Sequence, residues 1–191
     1  MNSKTNSREK MVAAAEKLFQ IKGFNATGLN EILKESDSPK GSLYYYFPNG
    51  KEELALVAIE SAGKHIHNKL SAELDKYSNP ILAIQYVIKN IIEALNIEGK
   101  LEGISISLLA LENYLSNESL RESCKKAFIV LEDMYAKKLI RSGFPKKVAQ
   151  ELGMVIEAII EGAIIVSLTK KDTTSLLGAS NQIGILLSHY I

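Results

Sequence analysis

The sequence predicts an all-α protein, and three observations carry that prediction. Apolar residues recur at helical spacing along nearly the whole chain. Alternating, β-branched runs bounded by hairpin turns are absent. The breaks between periodic stretches carry helix start and stop signals, such as Ser38-Pro39, Pro48 and Gly143-Phe144-Pro145. About nine helices fit the 191 residues.

Met11, Ala15, Leu18 and Phe19 make the apolar stripe of a first helix, which Gly23 is suited to close, with Phe24 folding back onto it. Thr27 is placed to cap a short second helix with the apolar face Leu29, Ile32 and Leu33, and Glu31 sits favourably in its first turn. After a turn through Ser36, Asp37 and Ser38, a third helix starts with Ser38 as N-cap and Pro39 at the first position. Leu43 and Phe47, four residues apart, pack inward and leave Lys40, Ser42, Tyr45 and Tyr46 outside. Pro48 stops this helix, Asn49-Gly50 turns the chain, and Lys51-Glu52-Glu53 opens a long fourth helix to about Asp75 with the stripe Leu54, Ala58, Ile66 and Leu70. Beyond Ser78-Asn79-Pro80, helices are expected at about Ile81 to Leu95, Leu101 to Glu112, Ser116 to Ser142, Lys146 to Lys170 and Asp172 to Tyr190. The last two are the most hydrophobic.

With 46% hydrophobic and 24% charged residues the chain can bury a substantial core. Its formal net charge of +1 makes any basic surface local, and residues 1 to 51 hold eight Lys/Arg against five Asp/Glu. The lone Cys124 excludes a disulfide framework and reads as a small, half-buried or buried helix residue. The polar N-terminus, Met1 to Lys10, lacks the apolar run of a signal peptide. Met154 to Leu168 is interrupted by Glu157 and Glu161 and falls short of the roughly 20 residues of a membrane span. A cytoplasmic, non-membrane protein is expected.

The segment Ser38 to Leu54 carries the functional signal. Three tyrosines crowd into a short helix between Pro39 and Pro48, where a core segment would waste their hydroxyls. With the preceding short helix this reads as the recognition helix of a helix-turn-helix. Lys40-Gly41-Ser42 at its N-terminal part is small enough for close approach to a major groove and can donate hydrogen bonds; base-edge contacts are expected from Lys40, Ser42 or Tyr46. Thr27 and Lys51 stand at helix starts, where free N–H groups favour a phosphate.

Residues 7 to 60 resemble the DNA-binding domain of the TetR family of bacterial transcriptional repressors. The resemblance rests on Lys22-Gly23-Phe24, Thr27, Ile32, Lys40-Gly41-Ser42-Leu43-Tyr44-Tyr45, Phe47-Pro48 and Lys51-Glu52-Glu53-Leu54 in that order and spacing. It implies phosphate contacts at Thr27, Lys51, Tyr44 and Tyr45; on the residues alone, Tyr44 suits the core as well as a phosphate. Departures are Asp37 where the family usually has glycine, Tyr46 where it often has histidine, and Gly50 as one extra residue before the fourth helix. The expected architecture is an N-terminal three-helix helix-turn-helix DNA-binding domain, residues 1–50, and a C-terminal helical effector-binding and dimerisation domain, residues 51–191.

One reading head covers too short a site for genomic specificity, so a homodimer on a palindromic double-stranded operator is expected. The last two helices are its natural surface, with Leu176, Ser180, Ile183, Gly184, Leu187 and Ile191 sharing one face and Ala158, Gly162 and Val166 forming a ridge on the other helix. The resemblance further implies a small-molecule pocket whose occupant releases the repressor. Polar groups inside apolar helices are its candidates: Asn90, Glu93, Ser105, Ser107, Asn113, Tyr114, Tyr135, Glu157 and Glu161. His65 and His67 diverge on a helix and His189 stands alone, so neither metal nor cofactor is expected. No phosphate loop, nucleophile elbow or Cys/His pair suggests an enzyme. The alternative kept open is a TetR-like DNA-binding protein with no small-molecule effector, architectural or protein-regulated.

Overall fold

The computed structural model describes residues 3–98 and 106–190. Every regular element among them is a helix: α1 (Ser3–Ala26), α2 (Leu29–Glu35), α3 (Lys40–Tyr46), α4 (Lys51–Leu74), α5 (Pro80–Glu98), α6 (Ile106–Asn113), α7 (Glu118–Arg141), α8 (Lys146–Lys170) and α9 (Thr174–Ser188). The all-α expectation and the order of the helices hold. The expected start of the sixth helix, 101–105, lies outside the described residues.

The chain forms two compact units. One comprises residues up to His65 together with α6 and the start of α7 to Ala127; the other takes Ile66 through α5, and Phe128 onward. Both α4 and α7 therefore contribute to each unit.

In the first unit α1 packs on α2, α3 and α6. Its core gathers the stripe read from the sequence: Met11, Ala15 and Phe19 of α1, Ile32 of α2, Leu43 of α3 with Phe47 just beyond it, and Leu54 and Ala58 of α4, all fully buried. Phe24 does fold back, its ring 5.6 Å from that of Phe19. The local reason is Gly23, whose backbone (φ 78°, ψ 170°) interrupts α1 in a region that residues with a Cβ avoid. Space matters there too, because a methyl on Gly23 would collide with the carboxylate of Glu112 on α6. That carboxylate accepts the Phe24 N–H at 2.6 Å.

Two capping expectations change. The residue preceding α2 is Gly28, not Thr27, and Glu31 reaches back to accept the Gly28 N–H at 3.0 Å. Thr27 instead turns inward, donating its hydroxyl to the Gly23 carbonyl at 2.7 Å, an orphan acceptor at the break in α1. Likewise Pro39 rather than Ser38 flanks α3, and the Ser38 hydroxyl donates to the Ser36 carbonyl. Asp37 holds a left-handed backbone (φ 48°), a conformation Asp tolerates better than most residues with a side chain.

In the second unit a continuous apolar cluster joins Leu70 and Leu74 of α4, Ile84 and Ile88 of α5, Leu131 and Leu139 of α7, Ile156 and Ile160 of α8, and Leu176, Ile183 and Leu187 of α9. The expected dimer face of α9 is thus corrected. Leu176, Ile183 and Leu187 point into their own unit, Gly184 lies against Gln85 and Ile81, and the Ser180 carbonyl accepts from Gln85. Ile191 lies outside the described residues. Helix α9 is sandwiched because it packs on both α5 and α8, which consumes the face that periodicity marks as apolar. The α8 ridge Ala158, Gly162 and Val166 is exposed. Two helices, α5 and α8, are long and apolar enough by composition to cross a membrane, and α8 is longer than the greasy stretch read from the sequence. Both also line the apolar cluster, and α8 buries Glu157 within it.

Candidate nucleic-acid interface

Helix α3 is two turns long, and what it exposes follows from what it buries. Leu43 and Phe47 are fully buried, which leaves Lys40, Gly41, Tyr44 and Tyr45 exposed and Ser42 and Tyr46 half-buried. Tyr45 is 70% exposed and Tyr44 48%, so Tyr44 is not a core residue. A Cβ on Gly41 would meet nothing, and the start of α3 is accordingly open to close approach. Tyr45 and Tyr46 rings meet edge to face at 4.9 Å, which orders the aromatic end of this surface.

Thr27 and Lys51, expected at the same surface, sit differently. Thr27 is buried and hydrogen-bonded inward. The Lys51 ammonium donates to the carbonyls of Phe24 at 3.0 Å and Thr27 at 3.1 Å and lies 4.3 Å from the centre of the Phe24 ring. Both residues tie the α1–α2 turn to the start of α4. Exposed ion pairs, Lys17 with Glu35 and Lys22 with Glu31, add links between α1 and α2, each worth little alone.

Of the effector candidates, Ser107, Asn113 and Tyr114 belong to the first unit and Asn90, Glu93, Tyr135, Glu157 and Glu161 to the second; Ser105 lies outside the described residues. Asn113 is buried and donates to the Leu109 carbonyl at 2.8 Å, one turn back on its own helix. Tyr114 is exposed, and Glu93 faces solvent beside Lys89 at 3.5 Å. Three candidates are linked electrostatically: the charges of Glu157 and Glu161 on α8, with that of Glu73 on α4, act on the buried Tyr135 of α7, and Glu73 accepts from Asn90 of α5 at 2.9 Å. Glu157 is 5% exposed, and burial, followed by the like charges of Glu161 and Glu132, pushes its carboxyl up to about 8. Sequence reasoning missed Glu73, Glu132 and Glu112. Glu73 was readable, since it falls on the α4 stripe between Leu70 and Leu74; Glu112 had no local signal. Cys124 is buried and its thiol pushed up to about 11, which makes it unreactive.

The pattern described as "Bacterial regulatory proteins, tetR family" matches residues 11–58, and that of "Transcriptional regulator LmrA/YxaF-like, C-terminal domain" matches residues 80–182. The chain belongs to the TetR family. It is 45% identical to the HTH-type transcriptional regulator YxaF of Bacillus subtilis, over 98% of each chain. It is 41% identical to the HTH-type transcriptional regulator LmrA of the same organism, over 95% of this chain and 97% of that one. The fold superimposes on reduced NemR of Escherichia coli with a TM-score of 0.83 and 22% identity, covering 93% of this chain and 94% of that one. NemR is named a transcriptional repressor. As a TetR-family protein, this chain is a DNA-binding transcriptional regulator and not an enzyme.

Proposed function

We propose that this regulator is a cytoplasmic repressor that binds a palindromic operator as a homodimer and is released by a small, mainly hydrophobic effector. The observation that carries the proposal is the outward face of α3: a lysine, an open glycine and two exposed tyrosines standing on two fully buried anchors. In this reading Lys40, Gly41 and Ser42 enter the major groove, Tyr44 and Tyr45 hold phosphates, and Tyr46 borders the base edges. Thr27 and Lys51 serve by holding α2 and α3 in place. Residues 1–50 read DNA, and residues 51–191 bind effector and partner.

Exposed apolar side chains on the last two helices support the dimer: Val155, Ile165 and Val166 of α8 beside the small Ala158 and Gly162, and Leu177 and Ile185 of α9. That NemR, a family member, is named a repressor supports the direction of regulation.

The test is selection of a duplex from a random pool by the purified protein, followed by titration of the selected site at rising salt. Affinity should fall with salt, because a basic side chain such as Lys40 entering the duplex displaces condensed counterions, and added salt opposes their release. Tyr45→Ala should weaken binding at least tenfold with an unchanged circular dichroism spectrum. A protein that selects no duplex, or a variant with undiminished affinity, refutes the assignment.

A further inference from the structure

We propose that Glu157 is the anchor of a site for an organic monocation, an amine or quaternary ammonium on an apolar body, inside the second unit. This rests on the effector reading above and names the chemistry of the effector.

Among the described residues of that unit two buried side chains can carry a charge: Lys138, whose ammonium donates to the Tyr77 carbonyl, and Glu157. Glu157 is 5% exposed, and its Oε1 has no hydrogen-bond partner. A buried acceptor left unmatched is a cost that folding gives no reason to keep. Helix packing explains where it faces. Gly153, one turn earlier on α8, is the point of closest approach to α7, where an added Cβ would stand 2.5 Å from the Glu132 carbonyl oxygen. Glu157 lies on the same face of α8, four residues on, and so looks toward α7.

The groups around it share one sign. The charges acting on Glu157 are those of Glu161 and Glu132, and those acting on the buried Tyr135 are Glu157, Glu161 and Glu73. On α5 the neutral Asn90 donates to Glu73. Carboxylates converge from α4, α7 and α8, and no cation is among the charges acting on either buried group.

Burial among like charges keeps Glu157 protonated at neutral pH, so a proton occupies the place of a counter-ion. A cation arriving there exchanges with that proton: Glu157 releases it to solvent, becomes a carboxylate and pairs with the ligand, and the net charge of the site is unchanged. Bare metal ions are a poor match, since no group of three or more ligating side chains is poised to hold one among the described residues. An organic cation suits the apolar surroundings: Ile156 and Ile160, next to Glu157 along α8, and the aromatic Tyr135 all belong to the buried cluster of this unit.

The experiment titrates the full-length protein with tetraphenylphosphonium and with the smaller benzyltrimethylammonium, using neutral triphenylphosphine oxide as control. Calorimetry at pH 7 in two buffers of different ionisation enthalpy counts protons. With a carboxyl pushed to about 8, release of about 0.9 proton per bound cation is expected. Affinity should rise about tenfold per unit between pH 6 and 7 and level off above 8, the neutral control showing neither effect. Glu157→Gln, isosteric with the protonated acid, should keep the fold, abolish proton release and weaken cation binding at least tenfold. Absence of saturable binding by either cation, a pH-independent affinity, or equal affinity in the variant overturns the proposal. Duplex selection on the same preparation separates the two readings. A chain that selects a duplex but fails these tests loses only this site. A chain that passes them yet selects no duplex keeps the site and loses the regulatory reading.

Discussion

Gly23→Ala is the sharpest perturbation the first unit offers. Two costs can be worked from the structure. The backbone at Gly23 (φ 78°, ψ 170°) is one that a residue with a Cβ occupies only under strain, at a cost of about 1–3 kcal/mol. The new methyl also falls on the Glu112 carboxylate, which must swing away and give up the 2.6 Å bond it accepts from the Phe24 N–H. A hydrogen bond to a charged group contributes about 1.5–3 kcal/mol, and partial exposure reduces this one to about 1 kcal/mol. The expected destabilisation is therefore about 2–4 kcal/mol, at roughly 2–4 °C of melting temperature per kcal/mol for a chain of this length. Far-UV circular dichroism during urea and thermal unfolding measures the total, and hydrogen exchange at the Phe24 amide reports the lost bond directly. A double-mutant cycle with Glu112→Ala divides it. In that background the alanine at position 23 should cost only the strain, so the coupling should be about 1 kcal/mol. A cost below about 0.5 kcal/mol for Gly23→Ala, or one indifferent to Glu112, refutes the reasoning.

Other outcomes follow from the same contacts. Lys51→Ala removes the ammonium from the Phe24 and Thr27 carbonyls; it should weaken duplex binding and raise hydrogen exchange in the α1–α2 turn together, whereas a pure phosphate contact would leave exchange unchanged. Glu157 holds its proton to about pH 8 in the folded chain against an ordinary 4.5. Between those values the folded state binds more protons than the unfolded one, so its stability should decline as pH rises, by up to about 1.4 kcal/mol per unit. Urea unfolding of the native protein against Glu157→Gln from pH 5 to 8 checks this, and parallel curves would contradict the burial argument. Gly153→Ala sets a methyl against the Glu132 carbonyl at 2.5 Å; separating α7 from α8 should cost about 1–3 kcal/mol, read as a lowered urea midpoint.

The sequence by itself determined the nine helices found among the described residues, most of their ends to within a few residues, and the buried anchors Leu43 and Phe47 of the candidate reading helix. These are local properties: periodicity selects helix, Pro48 and Gly50 punctuate it, and two apolar residues one turn apart choose the inward face. Its errors were of one kind. Thr27 and Ser38 have the chemistry of helix caps, and local rules cannot see that the Gly23 and Ser36 carbonyls stand nearer to their hydroxyls. The stripe on α9 was recognised as a contact face, but only packing showed that α5 and α8 of the same chain cover it. Tertiary structure alone decided that Lys51 is tied to two carbonyls, that Glu112 grips the break in α1, and that the charges of Glu73 and Glu157 act on the buried Tyr135. Periodicity gives each helix an inside and an outside, whereas the partner across the gap depends on the angle and register at which separate helices pack.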